Sequence, residues 1–227
     1  MGDLAYRDGT RENFLRCFDP VWGRFKNRIL PAPGNHEYHN KEGSPYFYSY
    51  FGDSVPGLAQ GYYGTQIGAW RVIAPNSSIA ADTGSPQELW LKRELAEHPS
   101  RCTLVYWHHP RFSSGKHGNT AAMDAIWRDL HAAGVDVVVS GHDHDYERFA
   151  PQGPQGQADG VRGIREFVVG TGGAKLREFG DVAANSEVRN ADTLGVLRLT
   201  LADGSYSWAF LPVDGAGFRD RGEAACH

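Results

Sequence analysis

VDVVVSGHDHDYER, residues 135–148, joins a short β-branched apolar run to two histidines and two aspartates in the consecutive positions 142–145. An apolar run of that length, bounded by glycine and polar residues, suits a strand buried on both faces of a sheet. A metal needs neutral imidazole nitrogens converging from a fixed backbone, and a strand end supplies that rigidity. In this reading His142 and His144 are the candidate ligands and Gly141 permits a tight turn close to the ion. Asp143 and Asp145 are then solvated, or hydrogen-bond behind the ligands. The competing reading is a pair of surface-loop histidines making ordinary hydrogen bonds.

Working outward, TLVYW (103–107), EFVVG (166–170) and RVIA (71–74) have the same strand-like character. Between TLVYW and VDVVVS lies TAAMDAIWRDLHAAG (120–134), where Thr120 can cap a helix, Met123, Ile126, Trp127 and Leu130 share one face, and Gly134 ends the element. An earlier helix is signalled by SPQELWLKRELAEH (85–98), with Ser85 as N-cap, Pro86 at the first helical position and Glu88 closing a capping box. VLRLTLADGSYSWAFL (196–211) alternates on both sides of Asp203 and Gly204 and reads as a hairpin, and PQGPQGQADGVRG (151–163) as a surface loop. The order strand, helix, strand predicts one α/β domain over residues 1–227 with some antiparallel pairing.

Composition excludes several classes. With 41% hydrophobic and 22% charged residues the 227-residue chain is an ordinary globular sequence, and a net charge of -4 without a long basic run argues against nucleic acid. No stretch approaches the roughly 20 apolar residues of a membrane span, and MGDLAYRDGT lacks the apolar segment of a signal peptide. Cys17, Cys102 and Cys226 form no CxxC pair, so one disulfide with an odd thiol and three reduced thiols both stay open.

Open α/β sheets bind ligands beyond the carboxyl ends of their strands, and polar clusters follow strand-like runs repeatedly here. RILPAP (28–33) runs into Gly34, Asn35, His36 and Glu37, and TLVYW into His108 and His109. The Asn35 carbonyl can bind a hard cation and His36 can protonate a leaving oxygen, although GNHE alone also fits a plain turn. Adjacent His108 and His109 should diverge, so at most one is a ligand. In GDLAY (2–6), Asp3 could bridge two cations and Tyr6 could give a phenolate to a trivalent one.

Taken in order, GDxxY (2–6), GNHE (34–37), VxxH (105–108) and GHxH (141–144) resemble the calcineurin-like metallophosphoesterase superfamily, specifically its purple acid phosphatase branch. The resemblance implies a four-layer α/β/β/α sandwich with mixed sheets and a centre of two metal ions, iron with zinc, manganese or a second iron. It makes Asp3 the bridging ligand, with Tyr6 and His144 on the first metal and Asn35, His108 and His142 on the second. His36 and His117 match histidines that contact the substrate phosphate and assist the leaving group, whereas Glu37 and His109 stand behind the ligands. The branch also has an Asp-bearing strand upstream of GDxxY; by that pattern N-terminal strands are missing here and the first metal is one carboxylate short.

The implied activity is hydrolysis of phosphate monoesters, two cations about 3.5–4 Å apart clamping the ester and lowering the pKa of an attacking water. A phosphodiesterase of the same superfamily and a catalytically dead metal- or phosphate-binding fragment are the alternatives. The expected partner is a small-molecule phosphate ester, with neither nucleic acid nor membrane, and the resemblance implies an exported protein.

Overall fold

A computed structural model describes residues 1–227, the side chain of Asp53 excepted. The first sixty residues are mostly short helical turns. Arg11–Asn13 (α1), a π-helical turn Phe14–Phe18, Asp19–Trp22 (α2) and a 3-10 stretch Gly23–Arg28 run together, and a second 3-10 turn, Asn35–Tyr38, precedes Gly43–Phe51 (α3). Phe14, Phe18, Phe47 and Phe51 bury themselves against one another.

The remainder is a sheet scaffold. Tyr63–Ile67 (β1), Trp70–Ala74 (β2), the helix Pro86–Glu97 (α4), Cys102–Tyr106 (β3), the helix Asp124–Ala132 (α5), Val137–Ser140 (β4), Tyr146–Phe149 (β5), Arg165–Val169 (β6) and Ser186–Asn190 (β7) follow in sequence. They form one mixed sheet in the order β1-β2-β3-β4-β6-β5-β7, in which β2, β3, β4 and β6 are parallel. Gly195–Ala202 (β8), Ser205–Pro212 (β9) and Arg221–Ala225 (β10) make a second, antiparallel sheet.

Strand alternation divides the core in two. Ile73, Val105, Trp107 and Val138 face α4 and α5, where they meet Leu91, Met123, Ile126, Trp127 and Leu130. Val72, Tyr106, Val137 and Val139 face the small sheet and its Tyr206, Trp208 and Phe210. The large mixed sheet thus carries helices on one face and a second sheet on the other, the α/β/β layering expected of the sandwich.

Several local expectations change in detail. Residues 29–34 are extended but join no ladder, because Pro31 and Pro33 lack the N–H a ladder needs. Tyrosine hydroxyls hold them instead, Tyr106 donating to Leu30 O at 2.9 Å and Tyr63 to Pro31 O at 2.8 Å. Ser85 Oγ accepts from Glu88 N at 3.2 Å, but the Glu88 carboxylate turns to Gly84 N rather than closing a reciprocal box. Thr120 makes no side-chain cap; a 3-10 turn, Ala121–Met123, leads into α5. The Asp203–Gly204 turn is as read, with Gly204 at φ 76°. Of the two thiol readings the disulfide holds: Cys102 at the start of β3 is bonded to Cys226, and Cys17 is free and exposed.

Candidate metal centre

The carboxyl ends of β2, β3, β4 and β6 open on the same side of the parallel sheet, and each delivers a polar loop there. After β3, His108 is 2% exposed, and its Nδ1 donates to Met1 O at 2.8 Å. A carbonyl can only accept, so that contact places a proton on Nδ1 and points Nε2 inward, where it can serve as the ligand atom. Nε2 lies 2.9 Å from Asn35 Oδ1, 3.3 Å from Asp3 Oδ2 and 3.2 Å from His142 Nδ1. The Asn35 amide is oriented by its Nδ2, 3.0 Å from His39 Nε2, which turns Oδ1 toward His108.

His108 Nε2 therefore confronts an amide oxygen and a carboxylate oxygen at close range. That is the donor set a cation fits, and the separations are those of neighbouring ligands around one ion. Burial, followed by the neighbouring imidazoles His108, His109 and His117, holds His142 far below the usual histidine range, so its lone pairs are available.

A second group shares Asp3. Tyr6 Oη donates to Asp3 Oδ2 at 3.2 Å and lies 3.5 Å from His144 Nε2, whose Nδ1 donates to Lys175 O at 2.9 Å. Burial opposes ionisation of Asp3, but hydrogen bonds from His108 and His36 outweigh it and hold the carboxyl well below the usual range. Burial and then Asp3 push the Tyr6 phenol up, so a phenolate at this position needs a strong cation beside it. Asp3 and His142 both adopt left-handed backbone, at φ 54° and 64°. Such conformations in non-glycine residues cost about 1–3 kcal/mol and persist where surrounding contacts enforce them. The turn after β4 thus relies on His142 itself. Gly141 instead gives clearance: a Cβ there would stand 3.3 Å from Met1 O.

Around these atoms the other expected residues fall as follows. His36 donates its Nδ1 hydrogen to Arg7 O and turns Nε2 inward, 3.8 Å from Asp3 Oδ2. The His117 ring stacks 4.3 Å from that of His142. Glu37 is fully buried and accepts the backbone N–H groups of Asp3, Leu4 and Gly34, each at 2.8 Å. His109 is nearer the centre than expected: its Nδ1 is 2.8 Å from Ser77 Oγ, its ring is 4.4 Å from His142, and ligand atoms of His108, His109 and His142 all lie within 4.8 Å of one another. Burial and then the His108 charge lower its pKa to about 4.

Of the two readings of the aspartates in GHDHDYER the solvated one fails, since Asp143 and Asp145 are both 0% exposed, and for Asp143 the hydrogen-bonded one holds. Asp143 receives His117 N at 2.9 Å and the Ser113 hydroxyl at 2.5 Å, which ties the His117 loop to the β4 end. Sequence reading did not find Ser77, His39 or Arg177, whose guanidinium donates to His117 Nε2. For Arg177 the available signal was the glycine-rich loop after β6, although nothing in it says which side chain returns to the centre.

Beside the centre a cavity of ≈ 640 Å³ opens between the sheets, polar at Asp3, His108 and His142 and apolar at Leu104, Val139 and Leu197. Polar groups of this kind gathered beyond parallel strand ends define a candidate metal site on an α/β scaffold. Residues 1–146 match the calcineurin-like phosphoesterase family, and the chain belongs to that family. It is 30% identical over 185 residues to purple acid phosphatase 15 of Arabidopsis thaliana, covering 65% of this chain and 35% of that protein. The purple acid phosphatase PPD1 from yellow lupin (Lupinus luteus) seeds superposes with TM-score 0.82 at 21% identity, over 99% of this chain and 45% of that one. GAP50, the anchor in the inner membrane complex of Plasmodium, superposes at 0.73 with 14% identity, over 97% and 75%. The relatives place the chain on the purple acid phosphatase-like side of the family, and the chain spans about a third of the length of the curated purple acid phosphatases it matches.

Proposed function

We propose that the chain hydrolyses phosphate monoesters at a centre of two metal ions, iron with zinc, manganese or a second iron. The observation that carries this is the position of Asp3 Oδ2, 3.2 Å from Tyr6 Oη on one side and 3.3 Å from His108 Nε2 on the other. One carboxylate serves two donor sets: Tyr6 with His144, and Asn35 with His108 and His142. Bound there, the cations would supply Lewis acidity and lower the pKa of a water.

The chain's own groups do the rest. Asp3, its carboxyl held well below the usual range, would neutralise part of the cationic charge. His108 and His144 are held by carbonyls at Nδ1, which turns Nε2 inward. His36 Nε2, 3.8 Å from Asp3 Oδ2, and the His117 ring, 4.3 Å from that of His142, stand beside the donor sets and would stabilise charge on phosphoryl oxygens or protonate the departing alkoxide. The Cys102–Cys226 disulfide supports an oxidising, extracytoplasmic location, and among the described residues no helix is long and apolar enough to cross a membrane.

The test is a metal count and turnover of p-nitrophenyl phosphate by the folded chain loaded with iron, zinc or manganese. Two ions per chain with turnover are expected, and a visible absorption band that Tyr6→Phe removes where ferric iron is bound. A single ion and no turnover would overturn the reading in favour of a binding fragment.

A further inference from the structure

Among the described residues Arg177 is the arginine whose guanidinium hydrogen-bonds a histidine of the cluster, and the loop that carries it is tightly constrained. The loop leaves β6 at Gly170, where any Cβ would fall 1.8 Å from Asp143 O, so only glycine passes. Arg177 N then donates to His144 O at 3.0 Å, while Lys175 O receives His144 Nδ1 at 2.9 Å. Further on, Gly180 N donates to Ser114 O and Ala183 N to Ser114 Oγ, both at 2.8 Å. The loop is thereby stitched to a candidate ligand on one side and to the His117 loop on the other, with Arg177 between them.

The guanidinium donates from Nη1 to His117 Nε2. Among the described residues it has no carboxylate within 4.0 Å, unlike Arg71, Arg111 and Arg148, each of which has one. The Arg177 backbone N–H on His144 O and the guanidinium on His117 Nε2 hold the residue beside the candidate ligands. Arg177 is half-buried, most of its guanidinium N–H donors are unspent and it has no counter-ion, so two of those N–H groups can converge on one oxygen of a phosphate.

The count of phosphate oxygens then gives a specificity. A monoester dianion has three non-bridging oxygens, so two can face the metal pair and one remains for Arg177. A diester has only two and leaves Arg177 without a partner. We propose that Arg177 binds the remaining non-bridging oxygen of a phosphate monoester and so sets preference for monoesters over diesters. This rests on the phosphoesterase reading of the centre.

The experiment compares the metal-loaded full chain with Arg177→Gln and Arg177→Lys. It reads inorganic phosphate binding by calorimetry, and kcat/KM for p-nitrophenyl phosphate against bis(p-nitrophenyl) phosphate. Expected in Arg177→Gln is at least a tenfold weaker phosphate affinity and at least a tenfold fall in the monoester-to-diester ratio. Arg177→Lys, which keeps the charge without the fork, should fall in between, and it decides the matter if the glutamine variant does not fold. Unchanged phosphate affinity, an unchanged ratio, or a wild-type chain that binds no phosphate overturns the proposal. A wild-type chain that hydrolyses neither ester yet binds phosphate through Arg177 would sink the phosphoesterase reading and leave the anion site standing.

Discussion

Glu37 and Asp3 are joined by a 2.8 Å hydrogen bond from the Asp3 backbone N–H to Glu37 Oε2, and the same oxygen accepts Gly34 N one residue before Asn35. One buried carboxylate thus sets the spacing between the loops of two candidate ligands that are 32 residues apart in sequence. In Glu37→Gln an amide NH2 replaces one acceptor and faces a buried N–H donor. Metal affinity should fall roughly 10–100-fold, as for other residues that orient ligands from behind. Titration against a competing chelator measures this; an unaltered affinity would show that the loops hold their spacing without Glu37.

Asp143 couples the GHxH loop to His117 through His117 N and Ser113 Oγ. Asp143→Ala leaves both buried donors without an acceptor and should cost about 1–3 kcal/mol of stability while lowering kcat through His117. Asp143→Asn keeps one acceptor oxygen and should lose less of both. Thermal unfolding and turnover of p-nitrophenyl phosphate decide it, and equal effects of the two substitutions would contradict the account.

Buried groups give the metal-free protein a stability maximum in pH. Burial pushes Glu166 up to about 8 from its ordinary 4.5, against hydrogen bonds from Arg111 N and Phe112 N. Between those values the folded state holds a proton the unfolded state has lost, so this contribution falls as pH rises and is gone above about 8. His109 acts in the opposite sense. Its pKa is lowered from 6.5 to about 4, so stability rises as pH climbs through that window. Burial likewise pushes Asp145 up to about 8, so urea titrations of the chelated chain should show stability falling from about pH 6.5 to 8, and Glu166→Gln should make that limb shallower without abolishing it. A limb of the same slope in the variant would rule Glu166 out as its cause.

The Cys102–Cys226 bond closes a loop across a sequence separation of 124. Replacing both cysteines by serine should destabilise the chain by roughly 2–5 kcal/mol, because the unfolded chain regains the loop-closure entropy. The disulfide lies at the amino-terminal end of β3, opposite the metal centre, so kcat of the folded fraction should change less than twofold. A large loss of kcat in the folded double variant would argue against that separation.

Strand ends were the legible part of the centre. His108, His142 and His144 follow apolar runs that do form β3 and β4, and Asn35 and Asp3 stand in short motifs whose spacing survives in the folded geometry. What was less legible had a common cause. RILPAP has the apolar character of a strand, but its prolines withhold the donors a ladder requires, and only the positions of Tyr63 and Tyr106 show what holds it. Asp143 and Asp145 look solvated because charge in a loop usually is, yet the loops after β3 and β6 fold over them.

By itself the sequence determined the alternation of strands and helices, the family and the identity of most side chains at the centre, because these depend on local pattern and on residue chemistry at short spacing. The tertiary structure alone decided which nitrogen of each histidine faces inward, that His109 joins the cluster, that Cys102 pairs with Cys226 and that Arg177 stands over His117. Each of those depends on a partner brought from a distant part of the chain. A tautomer, a disulfide and an unpaired guanidinium are fixed by what lies across the fold, and no local pattern records it.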